Sequence, residues 1–149
     1  MLKMLAFVAS ITFLCAAAIH ADEPGKEAKV EGKHGCFEMR TYTAADGKLD
    51  ALHARFRDHT NALFLKHGMT VIGYWVPDAP TKPGEVDKSK NTLVYILAYP
   101  DRAARDAMWK AFQADPDWIK AHAASEENGK LVDHVDSVFM TATDYSPIK

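Results

Sequence analysis

The sequence predicts an α+β fold: one antiparallel sheet with two helices packed on the same face. Strand and helix periodicities follow one another in the order strand, helix, strand, strand, helix, strand. That is the split β-α-β order of a ferredoxin-like βαββαβ sandwich. The stretch Phe37-Glu38-Met39-Arg40-Thr41-Tyr42-Thr43 alternates in the way a strand between two unlike faces should. The stretch Thr92-Leu93-Val94-Tyr95-Ile96-Leu97-Ala98-Tyr99 is apolar or aromatic on both faces. A face open to water would alternate with polar residues, so both sides of this sheet need a cover.

The elements can be placed in turn. In the first strand Phe37, Met39 and Thr41 share one face, read as ordinary core, and Glu38, Arg40 and Tyr42 share the other. Asp46-Gly47 marks a turn, after which Leu49, Leu52, Phe56, Leu63 and Phe64 recur near helical spacing, which predicts a helix over residues 48–67. Lys66 and His67 suit its negative end, and Gly68 suits a left-handed stop. Residues 71–76 read as a strand ended by Pro77, and residues 78–91, with Pro80, Pro83 and Gly84, as an exposed loop. Asp101 is placed to cap a second helix reaching Ala114, with Ala104, Met108, Ala111 and Phe112 inward. Asp115-Pro116-Asp117 restarts a short helix anchored by Trp118 and Ile119. Residues 131–143 supply the last strand.

Two helices cover one face of four strands, and no further element is left for the other. The economical cover is a second copy of the same sheet, face to face around a two-fold axis, giving a homodimer that encloses a barrel. On this reading Glu38, Arg40 and Tyr42 point into the shared cavity.

The N-terminal region sets the expected compartment. Lys3 lies in a short cationic start, residues 5–18 carry no charge, and Ile19-His20-Ala21 precedes Asp22-Glu23-Pro24. This is the layout of a secretory signal peptide over residues 1–21, cleaved after Ala21 or Ala18 and short for a permanent anchor. Phe13-Leu14 before Cys15 lacks the small residue of a lipoprotein site. Residues 22–34 are charged and nearly free of bulky apolar groups, a flexible leader, and residues 35–149 form one domain. The expectation is therefore an exported protein, periplasmic or secreted, with no membrane span after cleavage. The net charge is −2, and removing residues 1–21 takes away only Lys3. With no basic run there is no electrostatic footprint for nucleic acid. Cys36 is the one thiol left, so no internal disulfide is available.

Candidate chemistry gathers on the first three strands. Arg40 could grip a carboxylate or enolate oxygen while Glu38 or Tyr42 exchanges a proton. The competing reading is a structural Glu38–Arg40 pair, since buried charges need partners. Tyr74, Trp75 and Tyr95 could wall a pocket for a partly apolar ligand. The histidines form no helical i, i+4 pair and no Cys-x-x-Cys accompanies them, so no metal site is expected. His59 and His134 are weaker candidates that only the fold could bring together. No nucleophile elbow, phosphate loop or dinucleotide fingerprint occurs, and no cofactor is expected.

The segments that carry these readings resemble the NIPSNAP family of dimeric α/β-barrel proteins. They are Phe37-Glu38-Met39-Arg40-Thr41-Tyr42, Gly47-Lys48-Leu49, His67-Gly68 with Val71-Ile72-Gly73-Tyr74-Trp75, Asn91 to Tyr99, Asp101 with Ala104-Arg105, and Asp115-Pro116-Asp117-Trp118. The resemblance implies a ferredoxin-like subunit and a homodimer. It implies little about activity: neighbouring families include cofactor-free monooxygenases, isomerases and haem-dependent enzymes, a kinship at the level of fold. Relatives often carry His and Trp where this chain has Tyr95 and Leu97. Two functions follow as expectations. One is an exported barrel that binds a small, partly apolar or carboxylate-bearing molecule, with monooxygenase- or isomerase-like turnover as a variant. The other is a protein–protein interaction module without enzymatic activity.

Overall fold

Strand β1 (Cys36–Ala44) occupies an inner position in a four-stranded sheet of order β2-β3-β1-β4, with every neighbouring pair antiparallel. The computed structural model describes residues 34–149. The expected signal peptide and almost all of the expected leader lie outside them. Strands β2 (Thr70–Trp75), β3 (Thr92–Tyr99) and β4 (Val132–Met140) complete the sheet. Helices α1 (Leu49–Arg55) and α2 (Asn61–Lys66) fall between β1 and β2, and α3 (Arg102–Ala114) and α4 (Pro116–Ser125) between β3 and β4. This is the ferredoxin-like α+β sandwich. A 3₁₀ turn, Lys88–Lys90, closes the loop before β3.

The register decides which residues meet the helices. Glu38 lies opposite Leu97, Arg40 opposite Tyr95 and Tyr42 opposite Leu93. Directly opposed residues share a face. Leu93, Tyr95, Leu97 and Tyr99 are buried in the core with Phe56, Phe64, Trp109 and Phe112 from the helices. Glu38, Arg40 and Tyr42 therefore lie inside the subunit, beneath the helices. The expected orientation is inverted: the triplet does not point to the uncovered face, and Phe37, Met39 and Thr41 do. The inversion is tolerated because Glu38 and Arg40 pair within the row, and Arg105 from α3 and Ser137 from β4 supply the carboxylate's further hydrogen bonds.

The first helical stretch is continuous, as expected, but it is not uniformly α-helical. Phe56–Thr60 forms a π-helical segment in which the Asn61 amide donates to the Phe56 carbonyl. The buried residues Leu52, Phe56, Thr60 and Phe64 recur every four positions. Over twelve residues an ideal α-helix would turn the last of them about 120° away from the first. A wider turn removes most of that drift and keeps all four on the core. The Thr60 hydroxyl donates to the Arg55 carbonyl at 3.2 Å within this segment.

At the end of α2, Gly68 adopts φ +77°, the left-handed stop that its sequence position called for. The Met69 amide then donates to the Phe64 carbonyl at 3.0 Å. Lys66 and His67 do more than face a helix terminus: both bind the Asp115 carboxylate, at 2.8 and 2.7 Å, and join α2 to the start of α4.

Asp101 caps α3 by accepting from the Ala104 amide at 2.7 Å, and Asp115 caps α4 by accepting from Asp117 at 2.9 Å. The inward stripe of α3 is Arg105, Trp109 and Phe112, with Met108 beside it; Ala111, expected inward, is exposed. Ile119, expected as an anchor, is exposed as well, and Ala121 with Trp118 holds α4 down. Strand β4 stops at Met140, three residues short of the expected end.

Among the described residues no helix covers the second sheet face, although Phe37 and Ala98 are buried at one end of it, with the His34 ring against Phe37. Met39, Thr41, Val94 and Ile96 lie there half-buried, while Trp75 and Val138 are 47% exposed. Trp75 lies back over Gly73, where a Cβ would come within 2.8 Å of its ring, so glycine leaves the room that the indole takes. No helix among the described residues is long and apolar enough to cross a membrane.

Candidate functional site

The Glu38 carboxylate is fully buried and held from several sides. Arg105 binds it through two nitrogens, Nε to Oε2 at 2.8 Å and Nη2 to Oε1 at 2.7 Å, a bidentate grip. Arg40 Nη1 donates to Oε1 at 2.6 Å, Ser137 Oγ donates to Oε1 at 2.7 Å and the Tyr99 hydroxyl donates to Oε2 at 3.2 Å. Trp109 Nε1 in turn donates to the Tyr99 oxygen at 2.8 Å. Burial pushes the Glu38 pKa up, but the hydrogen bonds from Arg105, Ser137 and Arg40 outweigh it and hold it at about 2. A carboxylate so bound stays ionised and has few lone pairs left for a substrate proton.

Arg40 spans the core from this cluster toward the helices. Its guanidinium carbon sits 4.5 Å from the centre of the Trp109 ring and 5.5 Å from that of Tyr42. Its pKa is raised: burial opposes the charge, and the Tyr95 and Tyr42 phenols and the bond to Glu38 overcome that opposition.

Tyr95 is the hub of the aromatic core. Its ring centre lies 5.2 Å from that of Phe56 and 5.3 Å from that of Tyr42, and its hydroxyl donates to the Tyr42 oxygen at 3.0 Å. Burial and the neighbouring Tyr42 push the Tyr95 phenol up despite Arg40, and burial alone pushes Tyr74 to about 12. These two phenols are acids held in their neutral form at physiological pH, not ready bases. The Cys36 thiol is also pushed up, by burial, which makes it a packed residue rather than a reactive one.

Two cavities adjoin this core. The larger, about 380 Å³, opens between the α1–α2 stretch and the ends of β2 and β3. Phe56, Tyr74, Trp75, Val76 and Leu93 give it an apolar floor, and His53, Arg57 and Asn61 supply polar groups. The Tyr74 hydroxyl donates to Asn61 Oδ1 at 3.0 Å on its wall. The smaller, about 130 Å³, lies under the helices and is bounded by Arg40, Tyr42, Arg55 and several aromatic rings. Only Phe56 lines both.

The structure thus brings Glu38, Arg40, Tyr42, Tyr74 and Tyr95 together on the helix-covered face, and places Trp75 across the sheet. His59 and His134 do not meet. His59 is exposed beside a surface groove against α4, and His134 is exposed on β4 with Asp136 at 3.0 Å. Among the described residues no group of three His, Cys, Asp or Glu side chains could hold a metal ion. Sequence reasoning missed Arg105, Trp109, Ser137 and Arg55. For the first two a signal was present: Arg105, Trp109 and Phe112 are spaced i, i+4, i+7 and form one helix face. Ser137 and Arg55 carried none.

The fold and the buried Glu38–Arg40–Arg105 cluster define a ferredoxin-like α+β protein built around a charged core strand. The NIPSNAP family model matches residues 37–147, and the chain belongs to the NIPSNAP family. The structure is similar to that of an uncharacterized NIPSNAP domain protein from Burkholderia xenovorans, with TM-score 0.60 and 25% identity over 75% of this chain and 98% of that one. It is also similar to a NIPSNAP family protein of unknown function from Agrobacterium tumefaciens, with TM-score 0.63 and 22% identity over 78% and 95% of the two chains. A second Agrobacterium tumefaciens NIPSNAP family protein gives TM-score 0.64 at 20% identity, covering 78% of this chain and all of that one. No curated protein matches the chain.

Proposed function

We propose that this NIPSNAP protein is an exported homodimer that binds a small, partly apolar molecule in the 380 Å³ cleft beside Tyr74 and Trp75. The cleft carries the reading. It falls in the size range of ligand pockets, roughly 300–1,000 Å³, and pairs an apolar floor with a few polar groups, as such pockets do. The dimer draws on the apolar, uncovered sheet face around Met39, Val94, Ile96 and Val138, and export on the charge-free run of residues 5–18. Binding is preferred to turnover because Glu38 is saturated and the Tyr74 and Tyr95 phenols are held neutral. Oxygenase- or isomerase-like chemistry would need another base, and His53 on the cleft wall is the residue placed to serve.

Native mass spectrometry of the protein purified from its own compartment tests this reading. The expected result is a dimer carrying a retained organic molecule, which Tyr74→Ala and Trp75→Ala release. A dimer without any bound molecule, and without affinity for an apolar dye that those substitutions weaken, would overturn the ligand reading. A second reading, an interaction module with a purely structural core, draws on the saturation of Glu38. It requires that Glu38→Ala and Arg40→Ala lower stability while partner capture by the outer helices persists.

A further inference from the structure

We propose that the 380 Å³ cleft takes a small aromatic carboxylic acid as its anion, with Arg57 gripping the carboxylate and Phe56 and Tyr74 receiving the ring. The inference rests on the reading of the cleft as a ligand site. It adds the ligand's charge, its shape and the residue that selects it.

The polar wall of the cleft is set by the π-helical turn. His53, Arg57 and Asn61 recur every four positions along the first helical stretch, and all three line the cleft. Over those eight residues an ideal α-helix would turn Asn61 about 80° away from His53. The wide turn at Phe56–Thr60 removes most of that drift. The segment that keeps Leu52, Phe56, Thr60 and Phe64 on the core therefore keeps a polar row on the cleft as well. Asp58, next to Arg57 in the chain, faces the groove against α4 instead.

This row offers donors and no acid. Arg40, Arg55, Arg102 and Arg105 each pair with a carboxylate, whereas Arg57, among the described residues, pairs with none. No aspartate or glutamate lines the cleft, so its fixed charge is the Arg57 cation. Asn61 Oδ1 accepts from the Tyr74 hydroxyl at 3.0 Å, and its Nδ2 donors meet no acceptor among the described residues. Asn61 and His53 are half-buried, yet Asn61 Nδ2 and the His53 ring nitrogens stay open to solvent. Arg57 itself is exposed, so water satisfies it and it demands no ligand. What it offers is an uncommitted guanidinium fork at the rim of an apolar floor. The two oxygens of a carboxylate fit that fork.

The floor sets the rest of the molecule. The Phe56 and Tyr74 ring centres are 5.8 Å apart at 74°, edge to face, with Leu93 on the same floor. A flat ring extends such a cluster in the offset or edge-on geometry that aromatic rings prefer. The cleft is at the small end of ligand pockets, roughly 300–1,000 Å³, which suits one ring with a short acidic arm. Inorganic phosphate would reach Arg57 and leave the floor unused.

NMR titration of the purified protein with phenylacetate tests the proposal, with phenylacetamide as the neutral counterpart and acetate and inorganic phosphate as anions without a ring. Phenylacetate should bind about tenfold or more tighter than the amide, and tighter than acetate or phosphate. Arg57→Gln should remove the preference for the acid and leave the amide's affinity unchanged, with the fold retained because the side chain is exposed. Tyr74→Ala should weaken acid and amide alike. Equal binding of acid and amide, or a preference for the acid that survives Arg57→Gln, would overturn the proposal and still leave the cleft as a ligand site where Tyr74→Ala weakens both. Phosphate bound as tightly as phenylacetate would overturn it, as would phenylacetate binding that Tyr74→Ala leaves unchanged. If none of the four compounds binds, the proposal fails by itself, and the cleft reading then stands or falls with the molecule retained in native mass spectrometry.

Discussion

Glu38 is the residue on which the core's electrostatics turn. Its pKa of about 2 lies below its ordinary 4.5, so the folded state favours the ionised form. The sign follows from linkage. The stability it contributes is complete above about pH 4.5 and is lost as pH falls toward 2. Glu38→Gln leaves Arg40 and Arg105 buried without their anion and should cost about 3–5 kcal/mol at neutral pH. In urea titrations at several pH values, the gap between wild type and Glu38→Gln should narrow between pH 4.5 and 2. A constant gap across that window would show that the carboxylate is not held in its ionised form.

At the scale of elements, ion-pair contacts from Lys66 and His67 to Asp115 and Asp117 join the end of α2 to the start of α4. Asp115 caps α4 and also receives Lys66 and His67, while Asp101 has only the cap of α3 to make. Asp101→Ala should cost about 1 kcal/mol, the ordinary worth of an N-cap. Asp115→Ala should lower the melting temperature further than Asp101→Ala does, because it releases the two bonded side chains of Lys66 and His67 as well as an amide. Thermal melts of the two variants side by side check the order. The Lys66 pKa is raised mainly by its bond to Asp115, so the same substitution should bring it back toward its ordinary value in an NMR titration.

For the whole molecule the open sheet face is decisive. Sedimentation equilibrium should give twice the mass of one mature chain. Val138 is 47% exposed in the subunit, so a charge there spares the fold and acts on association alone. Val138→Glu should weaken the dimer by about tenfold or more, since each copy buries a carboxylate against an apolar sheet. A wild-type protein that stays monomeric at micromolar concentration would leave that face to some other cover.

Local pattern carried much of the architecture. Alternation marked β1 and short apolar runs marked β2 and β3, Asp101 and Asp115-Pro116 announced the starts of α3 and α4, and Gly68 announced the end of α2, because each of these signals acts within a turn or two of chain. What the pattern could not carry was sidedness. Phe37, Met39 and Thr41 are no less apolar than a core face should be, while Glu38, Arg40 and Tyr42 read as a surface or cavity row. The structure turned the second row inward because Arg105, sixty-seven residues away along the chain, and Ser137, ninety-nine away, arrive to hydrogen-bond the Glu38 carboxylate. The π-helical turn at Phe56–Thr60 was likewise hidden, since four residues spaced by four also fit a plain helix over a short span. By itself the sequence determined the order of elements, the membership of the family and the apolar demand of a two-sided sheet. Only the tertiary structure decided which face the charges occupy, because burial of a charge depends on partners that chain order does not place.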